Sequence, residues 1–273
     1  MTVRYDGMTV EWLGYATARI ETAAGVVAYT DPGRYGVLDD YWARDGDLVV
    51  VTHDHHYDSE GIRSVAADDA TLVIHEAVDA ATVDRDVEPV AELAADYDVV
   101  RVDDETRVDV RAGGAVREAT REVPNGGRDA PNGGRAARSD AGEQLATVWS
   151  VPAYNDPEGP NADADGSVVH PAGTGCGFLL SFGDRTVFWP GDTDALDGLA
   201  ELAVDVFLAN IGGGGLASDR HAAAELADRM DPELVVPIHY DTFERLAADG
   251  EAFAGDVAAR SIPVALDERS ANQ

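Results

Sequence analysis

Leu48-Val-Val-Val-Thr-His53-Asp-His55-His56-Tyr57-Asp58 is the stretch of this 273-residue chain that decides its fold and chemistry. A short apolar run rich in valine indicates a buried β-strand, and the polar residues after it mark the carboxyl end of that strand. In an extended backbone His53 and His55 point to the same side, so both imidazoles can reach one ion. A solvated loop rarely holds three histidines and two aspartates within six residues. The stretch therefore predicts a metal site at a strand end.

Two further apolar runs end in residues that bind metals. Thr186-Val-Phe-Trp-Pro-Gly ends in Asp192, and Leu234-Val-Val-Pro-Ile ends in His239. Each alone has an ordinary explanation, since Asp192 could cap a helix and His239 could be a satisfied core histidine. Three such strand ends together predict a shared site on one edge of a sheet. Nitrogen and carboxylate ligands without cysteine suit Zn²⁺, Mn²⁺ or Fe, and Asp192 can bridge two ions.

Short apolar strands and amphipathic helices are interleaved along the chain, which predicts an α/β or α+β fold. The predicted strands are Val10–Leu13, Val26–Thr30, Leu48–Thr52, Thr71–Ile74, Gln144–Val151, Gly177–Phe182, Thr186–Trp189, Val204–Leu208 and Leu234–Ile238. The predicted helices are Ser59–Ala67, His75–Val83, Ala195–Ala200, His221–Met230 and Thr242–Gly250. Residues 112–140 contain the pentapeptide PNGGR twice and lack apolar periodicity, which predicts a flexible surface insertion. We expect one domain over residues 1–273.

The chain is strongly acidic, with 20 Lys+Arg against 52 Asp+Glu and a formal charge of −32. This charge argues against nucleic-acid binding and against docking on anionic lipid. Every basic residue is arginine, a composition that suits a cytosol with molar salt, where the screening length is roughly 3 Å. The N-terminal residues resemble no signal peptide, and no window approaches the roughly 18 apolar residues of a membrane span. We expect a cytoplasmic protein from an extreme halophile; its oligomeric state stays open.

The order of the motifs resembles the metallo-β-lactamase superfamily. The motifs are Trp12–Thr17, Thr30–Pro32, Thr52–His55, Ala153–Asn155, His170–Gly173, Gly191–Asp194, Ile211–Gly213 and Pro237–Tyr240. Within the superfamily the chain is most similar to small metal-dependent hydrolases of the L-ascorbate-6-phosphate lactonase type. The resemblance covers residues 10 to 245 without the insertion, and it implies an α+β fold, a four-layer αββα sandwich with the metal site at the sheet edge.

The resemblance also implies a ligand set. His53 and His55 would bind the first metal, Asp192 would bridge, and His239 would bind the second metal. The family motif continues His-x-His-x-Asp-His, but Tyr57 and Asp58 stand at its last two positions. Asp58 could replace the missing ligand, or His56 could swing in. Asp58 or Asp192 would be placed to hold the attacking water.

The resemblance implies a third ligand of the first metal, a histidine that follows a strand before the Gly-Asp-Thr turn. We favour His170 over Asn155, because neutral imidazole is the stronger donor to a borderline ion. Tyr15 stands where relatives usually carry histidine in Gly-His-Ala-Thr, which changes the wall of the pocket. His75 is expected to be structural. His221 opens a predicted helix and is expected to be a capping or surface-exposed residue, with a substrate contact as the alternative.

These expectations define a metal-dependent hydrolase with one or two ions, Zn²⁺ first and Mn²⁺ or Fe as alternatives. It would cleave an ester, lactone, amide or phosphodiester of a small molecule through a metal-activated water. The alternative from another class is a non-catalytic or single-metal binding protein, motivated by Tyr57 and Asp58. An iron-dependent oxidoreductase is a third, weaker reading.

Overall fold

The computed structural model describes residues 2–113, 117–121 and 143–266. Two seven-stranded sheets hold most of the chain. The N-terminal sheet contains, in spatial order, β1 (Thr2–Tyr5), β2 (Met8–Gly14), β3 (Thr17–Glu21), β4 (Val27–Thr30), β5 (Gly46–Val51), β6 (Ala66–His75) and β7 (Asp98–Val102). The C-terminal sheet contains β8 (Thr106–Arg111), β9 (Arg117–Arg121), β10 (Gln144–Pro152), β11 (Cys176–Phe182), β12 (Arg185–Trp189), β13 (Val206–Asn210) and β14 (Leu234–Ile238), in the spatial order β14-β13-β12-β11-β10-β8-β9.

Each sheet joins an antiparallel part to a parallel part. In the N-terminal sheet β4, β5, β6 and β7 are parallel neighbours, and in the C-terminal sheet β12, β13 and β14 are. Parallel strands place their carboxyl ends at the same sheet edge. The residues that follow β4, β5, β12 and β14 therefore collect at such edges, and they include Asp31, His53, Asp192 and His239.

Alternation along β5 shows how the layers are stacked. Leu48 and Val50 belong to the core between the two sheets, whereas Val49 and Val51 face a second core under the N-terminal helices. Because side chains alternate between the two faces of a strand, this continuous apolar run is buried on both sides. The second core packs the N-terminal sheet against the helices α1 (Ser59–Val65) and α2 (Val90–Leu93).

Two further helices, α3 (Arg220–Met230) and α4 (Gly250–Ala258), contact each other, and α3 packs on β13. The apolar side of α3 includes Leu226 and Met230, which join the core of the C-terminal sheet. The predicted αββα sandwich is therefore confirmed. The helix predicted over 221–230 is confirmed as well, and Asp219 caps it by accepting hydrogen bonds from the amides of residues 221 and 222.

Other secondary-structure predictions were wrong. Residues 76–83 form turns because β6 continues through His75, and residues 242–249 contain only the short 3₁₀ helix Glu244–Leu246 before α4 begins. The helix predicted at 195–200 is a 3₁₀ helix, Asp197–Glu201. Within the predicted insertion at 112–140, residues 117–121 form β9; the rest of the insertion, apart from residues 112 and 113, lies outside the described residues.

Candidate metal centre

The backbone turns tightly after β5 and separates the side chains of the histidine stretch. The amide of His56 donates to the carbonyl of His53 (3.3 Å), and the amide of Tyr57 donates to that of Asp54 (3.2 Å). An isolated bridge pairs His53 with Gly175, just before β11, which ties the two sheets together at this point. A Cβ on Gly175 would lie 2.7 Å from the Cβ of His53, so only glycine permits this approach. The turn brings the imidazoles of His53, His55 and His56 close together.

The first group of candidate ligands is His53, His55 and His170, whose ring nitrogens lie within 4.8 Å of one another. His55 Nδ1 is 3.0 Å from His170 Nε2. Asp192 Oδ2 lies 3.7 Å from Nε2 of both His53 and His170. His170 comes from the loop between β10 and β11, so this group draws on both sheets.

The second group is formed around the other side of Asp192 by His56 and His239. His56 Nε2 lies 3.1 Å from His239 Nε2 and 3.6 Å from Asp192 Oδ2. His239 Nε2 lies 3.4 Å from Asp192 Oδ1. His239 follows β14 with φ of 61°, in the left-handed region, and its amide donates to the carbonyl of Tyr15 (3.0 Å). Asp192 therefore lies between two pairs of imidazoles.

Hydrogen bonds on the outer ring nitrogens fix the tautomers of three histidines. His170 Nδ1 donates to the carbonyl of Leu216 (2.9 Å), and His56 Nδ1 donates to Asp31 Oδ2 (2.9 Å). His53 Nδ1 lies 3.0 Å from Thr52 Oγ1, whose own proton is donated to Asp31 (2.8 Å). Each Nε2 atom is then left with a lone pair that faces the cluster, as in metal sites whose ligands are oriented from behind.

Asp31 is the buried carboxylate that organises the second group. It accepts hydrogen bonds from the amide and hydroxyl of Thr52 (both 2.8 Å), from the indole nitrogen of Trp189 (2.7 Å) and from His56. Burial raises the pKa of Asp31 to about 6, opposed by these hydrogen bonds, so the group is ionised at neutral pH. Its position directly after β4 gives it a fixed backbone.

Burial controls the protonation of the central groups. Burial lowers the pKa of His170 to about 4 and that of His239 to about 3, and it holds the pKa values of His53 and His56 well below the usual range. Burial, followed by the nearby charge of Asp31, raises the pKa of Asp192. Neutral imidazoles are the protonation state that binds a cation, and a cation beside Asp192 would favour its ionised form, which burial alone disfavours.

The described residues fit a metal ion. His53 Nε2 is buried and has no hydrogen-bond partner there, although a buried polar atom normally finds one. The facing nitrogens of His56 and His239 gain a shared partner if a cation joins them. Among the described residues one hydrogen bond supports the Asp192 side chain, from Asn210 Nδ2 to Oδ1 (2.9 Å). These donors suit a borderline divalent cation.

Asp58, predicted as a ligand and as a holder of the attacking water, is engaged elsewhere. Its Oδ1 accepts from the amide of Gly61 and its Oδ2 from the amide of Arg34, both at 2.9 Å, so it caps α1. Neither cluster of potential ligands in the described residues contains it. Tyr57 is fully buried in the core under the N-terminal sheet, and its hydroxyl donates to the carbonyl of Glu88. Within the stretch from His53 to Asp58, the side chain whose ring nitrogen faces that of His239 is His56.

The remaining predicted residues have structural contacts. Asn155 donates to Asp194 Oδ1 and to the carbonyl of Leu216, and it accepts from the amide of His170, so it supports the loop of His170. His75 is buried and accepts from the amide of Ala77. His221 is exposed, 3.6 Å from Asp256. Sequence reasoning assigned no role to Asp31, although its Thr-Asp-Pro motif carried part of the resemblance.

The sequence matches the family described as beta-lactamase superfamily domain over residues 9–133 and 146–239. The chain belongs to this superfamily. Solved structures share its fold: Igni18, a metallo hydrolase from Ignicoccus hospitalis, superposes with a TM-score of 0.58 at 18% identity over 95% of this chain and 94% of that one. The metallo-beta-lactamase fold protein YhfI from Bacillus subtilis gives a TM-score of 0.57 at 12% identity over 96% and 97%.

Curated relatives match a shorter part of this chain than the family match covers. A UPF0173 metal-dependent hydrolase of Carboxydothermus hydrogenoformans is 37% identical over 81 residues, 28% of this chain and 35% of the relative. One from Thermococcus kodakarensis is 34% identical over 111 residues, 39% of this chain and 46% of the relative. The match thus spans less than half the length of either relative.

No helix among the described residues is long and apolar enough to cross a bilayer.

Proposed function

We propose that this chain is a metal-dependent hydrolase that holds two divalent cations, zinc first among them, on either side of Asp192. The observation that carries the proposal is the arrangement of four imidazoles whose Nε2 atoms lie 3.4 to 3.7 Å from the carboxylate oxygens of Asp192. The names of the curated relatives, which are metal-dependent hydrolases, support the same activity.

In this proposal His53, His55 and His170 would hold one cation, His56 and His239 would hold the other, and Asp192, which lies beside both groups, would supply carboxylate oxygens. His56 fills the ligand position for which the sequence offered both Asp58 and His56. This assignment favours two metal positions over a degraded second site, because a buried imidazole with an oriented tautomer replaces the family ligand. Its support is the 2.9 Å hydrogen bond from His56 to Asp31.

A divalent cation in such a site lowers the pKa of water toward about 7 and polarises the carbonyl or phosphoryl oxygen of a substrate. The protein supplies preorganisation. Asn210 and burial hold the Asp192 carboxylate in place, and lowered pKa values keep the imidazoles neutral at neutral pH, so one nitrogen of each ring retains a lone pair. Tyr15, 4% exposed, packs its ring 4.6 Å from His239 and 5.0 Å from His56, which limits the access of bulk water.

We propose a small molecule with an ester, lactone, amide or phosphodiester bond as the substrate. The charge of −32 opposes long nucleic acids. The likeness to lactonases, the cytoplasmic location and the halophilic source stay predictions from the sequence.

Metal content and turnover, measured on the same samples, test this proposal. The purified chain is loaded with zinc, desalted, analysed by inductively coupled plasma mass spectrometry, and assayed on p-nitrophenyl acetate and bis(p-nitrophenyl) phosphate. We expect about two ions per chain and turnover of at least one substrate. Asp192→Asn removes the negative charge between the two groups and should lose metal and turnover together.

His221→Asn is the matched control, because His221 is exposed and lies outside both groups. It should keep metal content and turnover. A chain that takes up no metal in the presence of excess zinc would refute the proposal.

A further inference from the structure

Two arginines beside the metal centre have no acidic partner in the described part of the chain. Arg34 and Arg85 lie in the loops after β4 and before α2, and neither guanidinium has a carboxylate within 4.0 Å among the described residues. Elsewhere in the described chain arginines such as Arg19, Arg44 and Arg63 form ion pairs with Asp or Glu. Arg101 and Arg245 also donate to backbone carbonyls without such an ion pair, so the convergence of Arg34 and Arg85 on one oxygen is what distinguishes this pair among the described residues.

The two guanidinium groups converge on the loop that carries the candidate ligands. Arg34 Nη1 donates to the carbonyl of His55, and Arg85 Nη2 lies 3.4 Å from the same oxygen and also donates to the carbonyl of Tyr57. Two like charges that share one acceptor repel each other. Burial, followed by the charge of Arg34, accordingly lowers the pKa of Arg85. These contacts with backbone carbonyls leave most of the five N–H donors of each guanidinium for another partner.

One donor of Arg85, its Nε atom, is buried and has no hydrogen bond among the described residues. Two carboxylates of the histidine stretch are engaged elsewhere: Asp58 caps α1, and Asp54 Oδ2 accepts from the hydroxyl of Thr82 (3.1 Å). An anion placed between the two guanidiniums would relieve their repulsion and accept charge-assisted hydrogen bonds.

An aromatic wall connects this pair to the metal centre. The guanidinium of Arg34 lies 4.6 Å from the ring centre of Tyr35, which is half exposed. The ring of Tyr35 lies 4.8 Å from that of Tyr15 and 5.0 Å from that of Phe243, and Tyr15 in turn packs on His239. A molecule bound at the arginines can therefore contact the exposed ring of Tyr35 and meet the metal centre at His55, whose side chain is half exposed. The buried ring of Tyr15 closes the side of His56 and His239.

We propose that Arg34 and Arg85 bind an anionic group of the substrate, a carboxylate or phosphate oxyanion, while its scissile bond lies at the metal centre and its apolar part contacts Tyr35. This inference rests on the proposed hydrolase function and narrows it to substrates with a negative charge close to the bond that is cleaved. Guanidinium pairs match the geometry of such oxyanions, which explains why the pair is left without an internal counter-ion.

Anion binding is tested without turnover. Inorganic phosphate and, separately, succinate are titrated calorimetrically into the zinc-loaded full chain and into Arg34→Gln, Arg85→Gln and Arg44→Gln. Arg44 is the matched control, since it is exposed and paired with Asp68. We expect Arg34→Gln and Arg85→Gln to raise the dissociation constant of the preferred anion by at least about tenfold, the scale of a charged hydrogen bond. The anion that loses more affinity identifies the group.

A second measurement separates substrate binding from support of the loop. Mono(p-nitrophenyl) succinate and p-nitrophenyl butyrate share a leaving group and differ in charge. Arg34→Gln should raise the KM of the anionic ester and leave the KM of the neutral ester and the zinc content unchanged. Arg34→Lys, which keeps the charge, should restore part of the loss.

Equal effects on both esters, a parallel loss of zinc, or unchanged anion affinity in both glutamine variants would overturn the inference. If the wild-type chain binds zinc but cleaves neither ester, the proposed function fails on these substrates, and the anion titration still decides whether the arginine pair binds an oxyanion.

Discussion

Replacing Asp31 by asparagine changes one atom of the site and tests how its second group is built. In the wild type the carboxylate accepts from the amide and hydroxyl of Thr52, from Trp189 and from His56. All four partners act as donors toward a group that is 1% exposed. An asparagine side chain has only one acceptor oxygen, so its amide NH₂ group must face at least one of these donors.

The consequence for His56 follows from its tautomer. If the asparagine NH₂ group donates to Nδ1 of His56, the ring proton moves to Nε2, the atom that lies 3.1 Å from His239 Nε2. A protonated Nε2 cannot bind a cation. Loss of an orienting partner behind a histidine ligand lowers metal affinity about 10- to 100-fold. The indole of Trp189 donates to the same oxygen, Oδ2, and would then face the NH₂ group as an unsatisfied buried donor. If the NH₂ group takes the Oδ1 position instead, the amide of Thr52 is the donor left unsatisfied. In either orientation the free energy of unfolding falls by about 1–3 kcal/mol.

Calorimetric zinc titration of the full chain measures both ions. We expect Asp31→Asn to keep the tight binding at His53, His55 and His170 and to weaken a second, separate binding event. Asp205→Asn is the matched control: Asp205 also accepts from the amide and hydroxyl of a threonine, Thr186, but at the start of β12, away from the strand ends that carry the ligands. Two unchanged binding events in Asp31→Asn would refute the reasoning.

Three further predictions concern neighbouring groups. Asp58→Ala should lower the free energy of unfolding by about 0.5–2 kcal/mol through loss of the α1 cap and leave the zinc content unchanged in mass spectrometry; a lost equivalent of zinc would return Asp58 to the ligand set. Gly212→Ala should weaken zinc binding in a competition assay with a chromogenic chelator, because its Cβ would lie 2.3 Å from the carbonyl of His239; unchanged affinity would argue against a fixed His239. Burial lowers the pKa of His170 to about 4 in the folded chain, against about 6.5 in the unfolded chain. Between these two pH values the unfolded metal-free chain therefore binds the proton more tightly. The stability that this ring contributes above about pH 6.5 is lost by about 1.4 kcal/mol per pH unit as the pH falls below that value. Chemical denaturation of metal-free protein at pH 7 and pH 5.5 should show a smaller loss for His170→Gln than for the wild type, and equal losses would contradict the assignment.

The strands that carry the site could be predicted because they are apolar runs that end in ligand-type residues. β5, β12 and β14 were all found this way, and the strand-end rule gave His53, Asp192 and His239 a common location that the structure shows. β7 and β8 were missed because charged residues interrupt their apolar positions, most regularly in Thr106–Arg111. Such short interrupted segments lack the continuous apolar run on which the other strands were predicted.

The choice between His56 and Asp58 could not be read from spacing alone. It depends on whether the chain after β5 stays extended or turns, and the turn is set by backbone hydrogen bonds from His56 and Tyr57. Once it turns, Tyr57 enters the core and Asp58 is the residue placed to cap α1. The role of Asp31 was hidden for a similar reason, since its partner Trp189 is 158 residues away in sequence.

The pair of metal positions around Asp192 is tested most directly by anomalous diffraction at the zinc edge from crystals of the zinc-loaded chain. We predict two peaks, one in contact with His53, His55 and His170, the other with His56 and His239, and Asp192 within reach of both. The account would be contradicted by an ion bound through Asp58 with His56 turned away, or by the lack of any peak beside Asp192.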